Sequence, residues 1–262
     1  MRLEDKLWKT FNKALGQYQL IDEGDRILVG LSGGKDSLCL LELLARRSRI
    51  VKPRFSVEAL HVRMENIDYE SDTTYLRQFC EGLGVALHIV TTRFTPLAPQ
   101  LSAAPQPSAS PAADMPPSPS PTQPSTKPKP PCFLCSWQRR KQLFNVAQEL
   151  GCTKIALGHH QDDLIHTALM NLTFQGHFTT MEPKLPMRKM PLAIIRPLCL
   201  CQEDDIRQFA EQRHYQKLIK LCPYEKDTNR THIQRLFQLM QELNPEARYT
   251  ITRALRERFA RE

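Results

Sequence analysis

A short apolar run from Arg26 to Leu31 leads into Gly30-Leu31-Ser32-Gly33-Gly34-Lys35-Asp36-Ser37, after which Leu38, Leu41 and Leu44 recur at helical spacing. Strand, small-residue turn and helix therefore follow one another without a spacer. Phe55 to Val62 and Val85 to Thr91 read as further strands on either side of a helix at Thr74 to Leu83, and Lys154 to Gly158 and Ala193 to Pro197 supply two more. Helices are expected over Ser136 to Leu150, Asp163 to Phe174 and Glu203 to Arg213. Strands that alternate with helices predict the α/β class. The expected form is a doubly wound parallel sheet with helices on both faces and ligands at the carboxyl ends of its strands.

Composition divides the chain around this frame. Leu3, Leu7, Phe11 and Leu15 recur every four residues, so residues 1–25 are expected to carry an N-terminal helix with that face in the core. Residues 26–95 hold the first part of the α/β domain and residues 132–225 the remainder. Between Pro96 and Pro131 the sequence turns to Pro, Ser, Ala, Thr and Gln with almost no apolar side chains, too few to offset the entropy of ordering it. Residues 96–131 thus read as a disordered insertion. Closure cost rises slowly with loop length, which suits a passive linker. Residues 226–262 carry two C-terminal helices, Thr231 to Leu243 and Pro245 to Phe259, the second heavily basic.

The net charge of +8 favours an anionic partner, nucleic acid before others. Glu4 and Asp5 and the lack of an opening apolar run fit neither a secretory signal nor a transit peptide, and no stretch approaches transmembrane length. A cytoplasmic location without a membrane partner is expected. In that setting the eight cysteines read as reduced thiols or metal ligands rather than disulfides.

The turn after the first strand has phosphate-binding chemistry. Its backbone N–H groups and the positive end of the following helix point to one place. Gly33 and Gly34 allow close approach of the backbone to an anion, Ser32 and Ser37 offer hydroxyl donors, and Lys35 adds a neutralising charge. Asp36 is positioned either to orient Mg2+ or to cap the helix. The spacing departs from the Walker pattern, because Gly34-Lys35 is followed by Asp36. Gly158-His159-His160-Gln161-Asp162-Asp163 follows another expected strand and opens another helix, facing the same crevice. Its carboxylates suit nucleotide, magnesium or base contact, or a helix N-terminus. His61, ending the second strand, is a further candidate for the pocket.

Cys132-Phe133-Leu134-Cys135 places two thiols two residues apart at the mouth of a helix, a spacing for a chelate or a redox pair. Arg139, Arg140 and Lys141 follow, and Cys222 comes much later. Cys199 and Cys201, two apart near a strand, are rival ligands. Cys39, Cys80 and Cys152 read as small core residues.

Ser32-Gly33-Gly34-Lys35-Asp36-Ser37 resembles the PP-loop of the ATP pyrophosphatase superfamily, with its adenine nucleotide alpha-hydrolase-like fold. Taken with Cys132-x-x-Cys135, Gly158-His159-His160-x-Asp162-Asp163, Arg196-Pro197-Leu198 and Cys222, it is similar to the tRNA 2-thiocytidine synthetase family over nearly the whole chain outside the insertion. The resemblance implies that Ser32, Gly33, Gly34, Lys35, Asp36 and Ser37 hold ATP. It implies further that His61, Gly158, His159, Asp162 and Asp163 line that site, with Lys35 and Asp36 in the chemistry. Cys132, Cys135 and Cys222 would hold a [4Fe-4S] cluster and leave one iron open to bind sulfur. The implied reaction adenylates the C2 oxygen of cytidine 32 in a tRNA anticodon loop and replaces it with sulfur. A cysteine desulfurase would be the donor, and a homodimer is compatible. The chain departs from known members in that Pro223-Tyr224-Glu225 follows Cys222 in place of a second cysteine.

Alternatives on the same residues are a structural zinc site, a lysidine-type tRNA modification, which has no use for the thiols, and a nucleotide-binding iron-sulfur sensor without turnover. Arg139, Arg140, Lys141, Arg188, Lys189 and the basic C-terminal helix are candidates for the tRNA backbone, where contacts give affinity without specifying a base. The linker reading makes one prediction. Deleting Ala98 to Lys127 should leave 2-thiocytidine formation largely intact in a thiolation assay, whereas lost activity with preserved folding would mark the insertion as a lid.

Overall fold

The computed structural model describes residues 2–94, 131–222 and 229–259. The insertion expected at 96–131 lies outside these residues, apart from Pro131. Helix α1 (Leu3–Gln17) precedes β1 (Arg26–Gly30) and α2 (Lys35–Ser48), and β2 (Ser56–Met64), β3 (Asp68–Tyr69), α3 (Thr74–Leu83) and β4 (Ala86–Thr92) complete the first half. The second half runs α4 (Pro131–Glu149), β5 (Lys154–Ala156), α5 (Gln161–Gln175), β6 (Lys184–Pro186), β7 (Ala193–Ile195), α6 (Glu203–Gln212) and β8 (Lys220–Leu221). Helices α7 (Asn229–Leu243) and α8 (Ala247–Phe259) close the described chain.

Six strands form one sheet in the order β4-β2-β1-β5-β7-β6. Every pair is parallel except β6 with β7, so the expected parallel sheet carries one antiparallel edge strand. The order reverses between β1 and β5. That reversal opens a crevice at the carboxyl ends of these two strands, the usual ligand position in doubly wound sheets. Both motif loops leave the sheet there.

The sheet is buried on both faces, as its apolar runs require. On one side Ile27 and Val29 pack with Leu7 and Phe11 of α1, Leu38, Leu41 and Leu44 of α2, and Phe209 of α6. On the other, Leu28, Leu60 and Ile155 pack with Val146 and Ala147 of α4. Helix α1 buries Leu7, Phe11 and Ala14, the stripe read from its four-residue spacing. Helix α5 differs: Asp162 to Ile165 and His166, Ala168 and Leu169 are buried almost all round it. It is enclosed because α7 packs Ile233 and Phe237 against Ile165 and Leu169.

Two strands escaped the sequence reading besides β6. Asp68–Tyr69 pairs antiparallel with Lys220–Leu221 in a ribbon of its own. Pairs of two residues show no alternation to detect. This ribbon anchors a strap over the phosphate loop: Leu218 N–H donates to Gly33 C=O (3.0 Å), Ile219 N–H to Ser71 Oγ (2.9 Å), and Glu70 N–H to Ile219 C=O (3.1 Å). The strap then delivers Cys222.

Phe11 is fully buried at 0% exposure between α1, α2 and the sheet. Phe11→Ala should lower unfolding free energy by about 3–5 kcal/mol, measured by urea denaturation.

Candidate active site

The phosphate loop is built by its own hydrogen bonds. Ser32 Oγ and Ser37 Oγ lie 3.1 Å apart, Gly34 N–H reaches Ser32 Oγ at 3.3 Å, and Ser37 Oγ donates to Gly34 C=O at 2.9 Å. Gly34 is the N-cap of α2, so the loop sits on the positive end of that helix. Gly33 has φ +83°, and a Cβ there would stand 2.5 Å from Leu218 Cβ. Only glycine satisfies both conditions. Gly158 is required for a different reason: its Cβ would meet the backbone of Asp36 and Ser37 at 3.1 Å. The second motif loop thus rests directly on the first.

Their side chains are joined by charge. Lys35 Nζ lies 3.1 Å from Asp36 Oδ1 and 2.9 Å from Glu203 Oε1. Burial opposes the Lys35 charge, yet these two carboxylates raise its pKa above the usual lysine value. Asp36 thereby pairs with Lys35 and does not cap α2. His160, read from the sequence only as part of the motif and not as a site residue of its own, is buried at the N-cap of α5. Its Nε2 stands 3.8 Å from Asp36 Oδ1 and 3.4 Å from Asp163 Oδ2, and its Nδ1 is 3.7 Å from Asp162 Oδ2. Asp163 Oδ2 also accepts the His160 backbone N–H at 3.1 Å.

Both aspartates continue outward to the C-terminal helices. Asp162 accepts the Glu203 N–H at 2.8 Å and pairs with Arg248 of α8 at 2.7 Å. Burial alone would raise the Asp162 pKa, but the Arg248 hydrogen bond and the Glu203 amide hold it below the carboxylate norm. Asp163 pairs with Arg230 of α7. Of the roles left open for the two carboxylates, Asp163 displays the one at the helix N-terminus, and both also anchor α7 and α8, a role the sequence did not suggest. Arg230, Arg248 and Glu203 are site residues that only the fold assembles, because each is remote in sequence from its partner.

Three histidines have a buried nitrogen without a hydrogen-bond partner, His160 at Nδ1 and two others. His61 Nδ1–H donates to Leu31 C=O (2.8 Å), and its Nε2 has no hydrogen-bond partner. Burial lowers its pKa, outweighing that hydrogen bond. His159 Nδ1 is likewise unpartnered, and burial, then the Arg196 charge, lowers its pKa to about 4. Both rings are neutral near pH 7.

The cysteines separate into two groups. Helix α4 begins at Pro131, several residues before the expected start, so Cys132 and Cys135 occupy its first turns rather than the approach to it. Proline at the first helical position accounts for the early start, since its fixed φ suits a helix and its missing N–H leaves no donor unpaired. Cys132, Cys135 and Cys222 line one cavity of about 430 Å³ together with Arg139, Lys220 and Arg230. Cys135 and Cys222 also pack on Met64, Ile67 and Phe94. Among the described residues no three His, Cys, Asp or Glu side chains converge closely enough for one metal ion, so the thiols stand around the cavity rather than at a common point. Cys199 and Cys201, the rival ligands, are buried in the core, and burial pushes Cys199 up to about 12 and Cys201 higher. Cys39, Cys80 and Cys152 are buried as expected. Arg230 belongs to both regions, pairing with Asp163 and lining the thiol cavity.

Fold and loop together define a PP-loop α/β protein, and a family model described as the PP-loop domain matches residues 3–98. The chain is 31% identical over 255 residues to a tRNA-cytidine(32) 2-sulfurtransferase of Bordetella avium, spanning 97% of this chain and 73% of that protein. The enzyme of the same description from Coxiella burnetii is 32% identical over 256 residues, covering 97% and 90%. The chain belongs to this tRNA-cytidine(32) 2-sulfurtransferase family. Among solved structures, the U34-tRNA thiolase NcsA from Methanococcus maripaludis, with its [4Fe-4S] cluster, shares the fold at a TM-score of 0.69 and 24% identity, over 97% of this chain and 78% of that one. No helix among the described residues is long and apolar enough to cross a membrane.

The buried neutral His159 ring ties stability to pH. Its folded pKa lies below the ordinary histidine value of 6.5, so the unfolded chain takes up the proton first as pH falls. Stability should therefore drop between about pH 6.5 and pH 4, by up to about 1.4 kcal/mol per pH unit from this group. Denaturant unfolding across that window should show a shallower slope in His159→Gln.

Proposed function

We propose that this chain replaces the C2 oxygen of cytidine 32 in tRNA with sulfur, at the expense of ATP, giving 2-thiocytidine. The observation that carries the reading is the cavity lined by Cys132, Cys135 and Cys222, whose wall shares Arg230 with the nucleotide motifs. One region handles phosphate and the other presents thiols. Lysidine formation has no use for the second.

The reaction makes two demands. The base oxygen must attack the α-phosphorus with loss of pyrophosphate, and sulfur must then take the place of the oxygen, which leaves with AMP. Ser32 to Ser37 present backbone N–H groups, two hydroxyls and the α2 N-terminus to the phosphates, balancing charge without moving. Lys35 adds a cation, whose charged form its two carboxylate neighbours favour. Mg2+ accompanies the nucleotide, with Asp36 the loop carboxylate suited to it. His61, three residues before the end of β2, and His159, three beyond the end of β5, offer neutral imidazoles.

The thiols fit an iron-sulfur cluster. Side chains placed around a cavity suit a group several atoms wide, and Arg139 and Arg230 beside them balance its anionic ligands. Cys132, Cys135 and Cys222 would hold a [4Fe-4S] cluster, which would supply an iron without a protein ligand for the sulfur to be transferred. A cysteine desulfurase supplies that sulfur in this reading, two copies of the chain associate, and the enzyme works in the cytoplasm, where its tRNA substrate resides.

Mass spectrometry of tRNA nucleosides should find 2-thiocytidine absent from a deletion strain, and normal levels there would overturn the assignment. Anaerobically purified protein should be brown, with iron and acid-labile sulfide. Cys222→Ala should bleach it, whereas a colourless protein holding zinc would point to a structural site.

A further inference from the structure

Helix α4 carries a second feature that the thiol chemistry does not use. Cys132, Cys135, Ser136 and Arg139 fall at intervals of three, one and three, one face of a helix, and that face lines the cavity. Phe133, Trp137 and Arg140 repeat the same spacing one residue on, about 100° round the helix. Phe133 is 43% exposed and Trp137 48% exposed. Large aromatic rings at the surface beside a functional cavity mark a binding face. Lys141 Nζ lies 5.6 Å from the Trp137 ring, and Arg140 Nε bonds back to Ser136 C=O at 3.3 Å. One face of Trp137 therefore carries a cation, and Arg140 follows on the same helix.

Aromatic faces with Lys and Arg beside them are how proteins hold unpaired nucleotides: bases stack on the rings while cations follow the phosphates. An acidic protein partner would use the cations but not two half-exposed rings, and an apolar one would not suit the flanking charges. Resting on the tRNA reading above, we propose that Phe133 and Trp137 form a stacking platform for unpaired anticodon-loop bases next to the target cytidine. The platform begins in the same helical turn as Cys132, so bases held on it leave the neighbouring nucleotide at the cavity mouth. Arg140 and Lys141 hold the intervening phosphates. Selection for a loop over a duplex follows, because paired bases hide their faces.

The test uses the full-length protein with two RNA probes, an anticodon stem-loop containing the target cytidine and a fully paired duplex of equal length. The chain has two tryptophans, and Trp8 is partly buried under Arg46. The stem-loop should quench wild-type tryptophan fluorescence. Trp137→Phe should abolish the quench while keeping affinity within about two-fold, because a phenyl ring still stacks. Phe133→Ala with Trp137→Ala should weaken stem-loop binding by about ten-fold or more and leave duplex binding unchanged. An unchanged thermal transition in both variants would confirm that the fold survives. Wild-type affinity in the double variant would overturn the platform, as would equal losses on both RNAs, which indicate a phosphate surface alone. Intact RNA binding with lost sulfur relay from a desulfurase would instead make the face a protein-docking site. A wild-type protein that ignores the stem-loop altogether would sink the tRNA reading itself, a result distinct from each of these.

Discussion

Everything at the site depends on how closely two backbone segments approach. Gly158 lies against the peptide of Asp36 and Ser37, where a Cβ would stand only 3.1 Å away. This contact holds the second motif loop on the first, and His160 can then stand between Asp36 and Asp163. With a side chain at 158 the two segments would have to give by a few tenths of an ångström, against backbone atoms of Asp36 and Ser37. Packing that close is available only where glycine occupies the contact.

From that junction two lines of charge run outward. Lys35 meets Glu203, whose N–H is held by Asp162, which meets Arg248. Asp36 faces His160, then Asp163, then Arg230 at the thiol cavity. Buried charges persist only with partners, because burial penalises them strongly. Helices α7 and α8 supply those partners, and so hold the nucleotide site as well as cover α5. The strap completes the arrangement from the other side, fixed to Gly33 by Leu218 and ending four residues later in Cys222.

Much of this was legible in the order of residues. The phosphate loop, the second motif and the strands and helices of the doubly wound frame came from local patterns, the pairing of loop and thiols came from the family resemblance, and α3 matched its expected bounds of Thr74 to Leu83. Less came through where pattern was short. The β3–β8 ribbon has two residues on each side and so offers no period. Helix α4 starts earlier than its expected Ser136, at Pro131, where proline's fixed φ opens the helix without any apolar period to mark it.

The sequence by itself determined the chemistry on offer: a glycine-rich anion cradle, paired aspartates and thiols at chelate spacing, all fixed by covalent order over a few residues. Tertiary structure alone decided which of these meet. It brought Cys222 to Cys132 and Cys135 while folding Cys199 and Cys201 into the core, and it turned Asp162 and Asp163 to arginines far along the chain. The physical reason is that a local pattern fixes where a side chain points on its own element. Which partner it finds depends on how separate elements pack to bury their apolar faces.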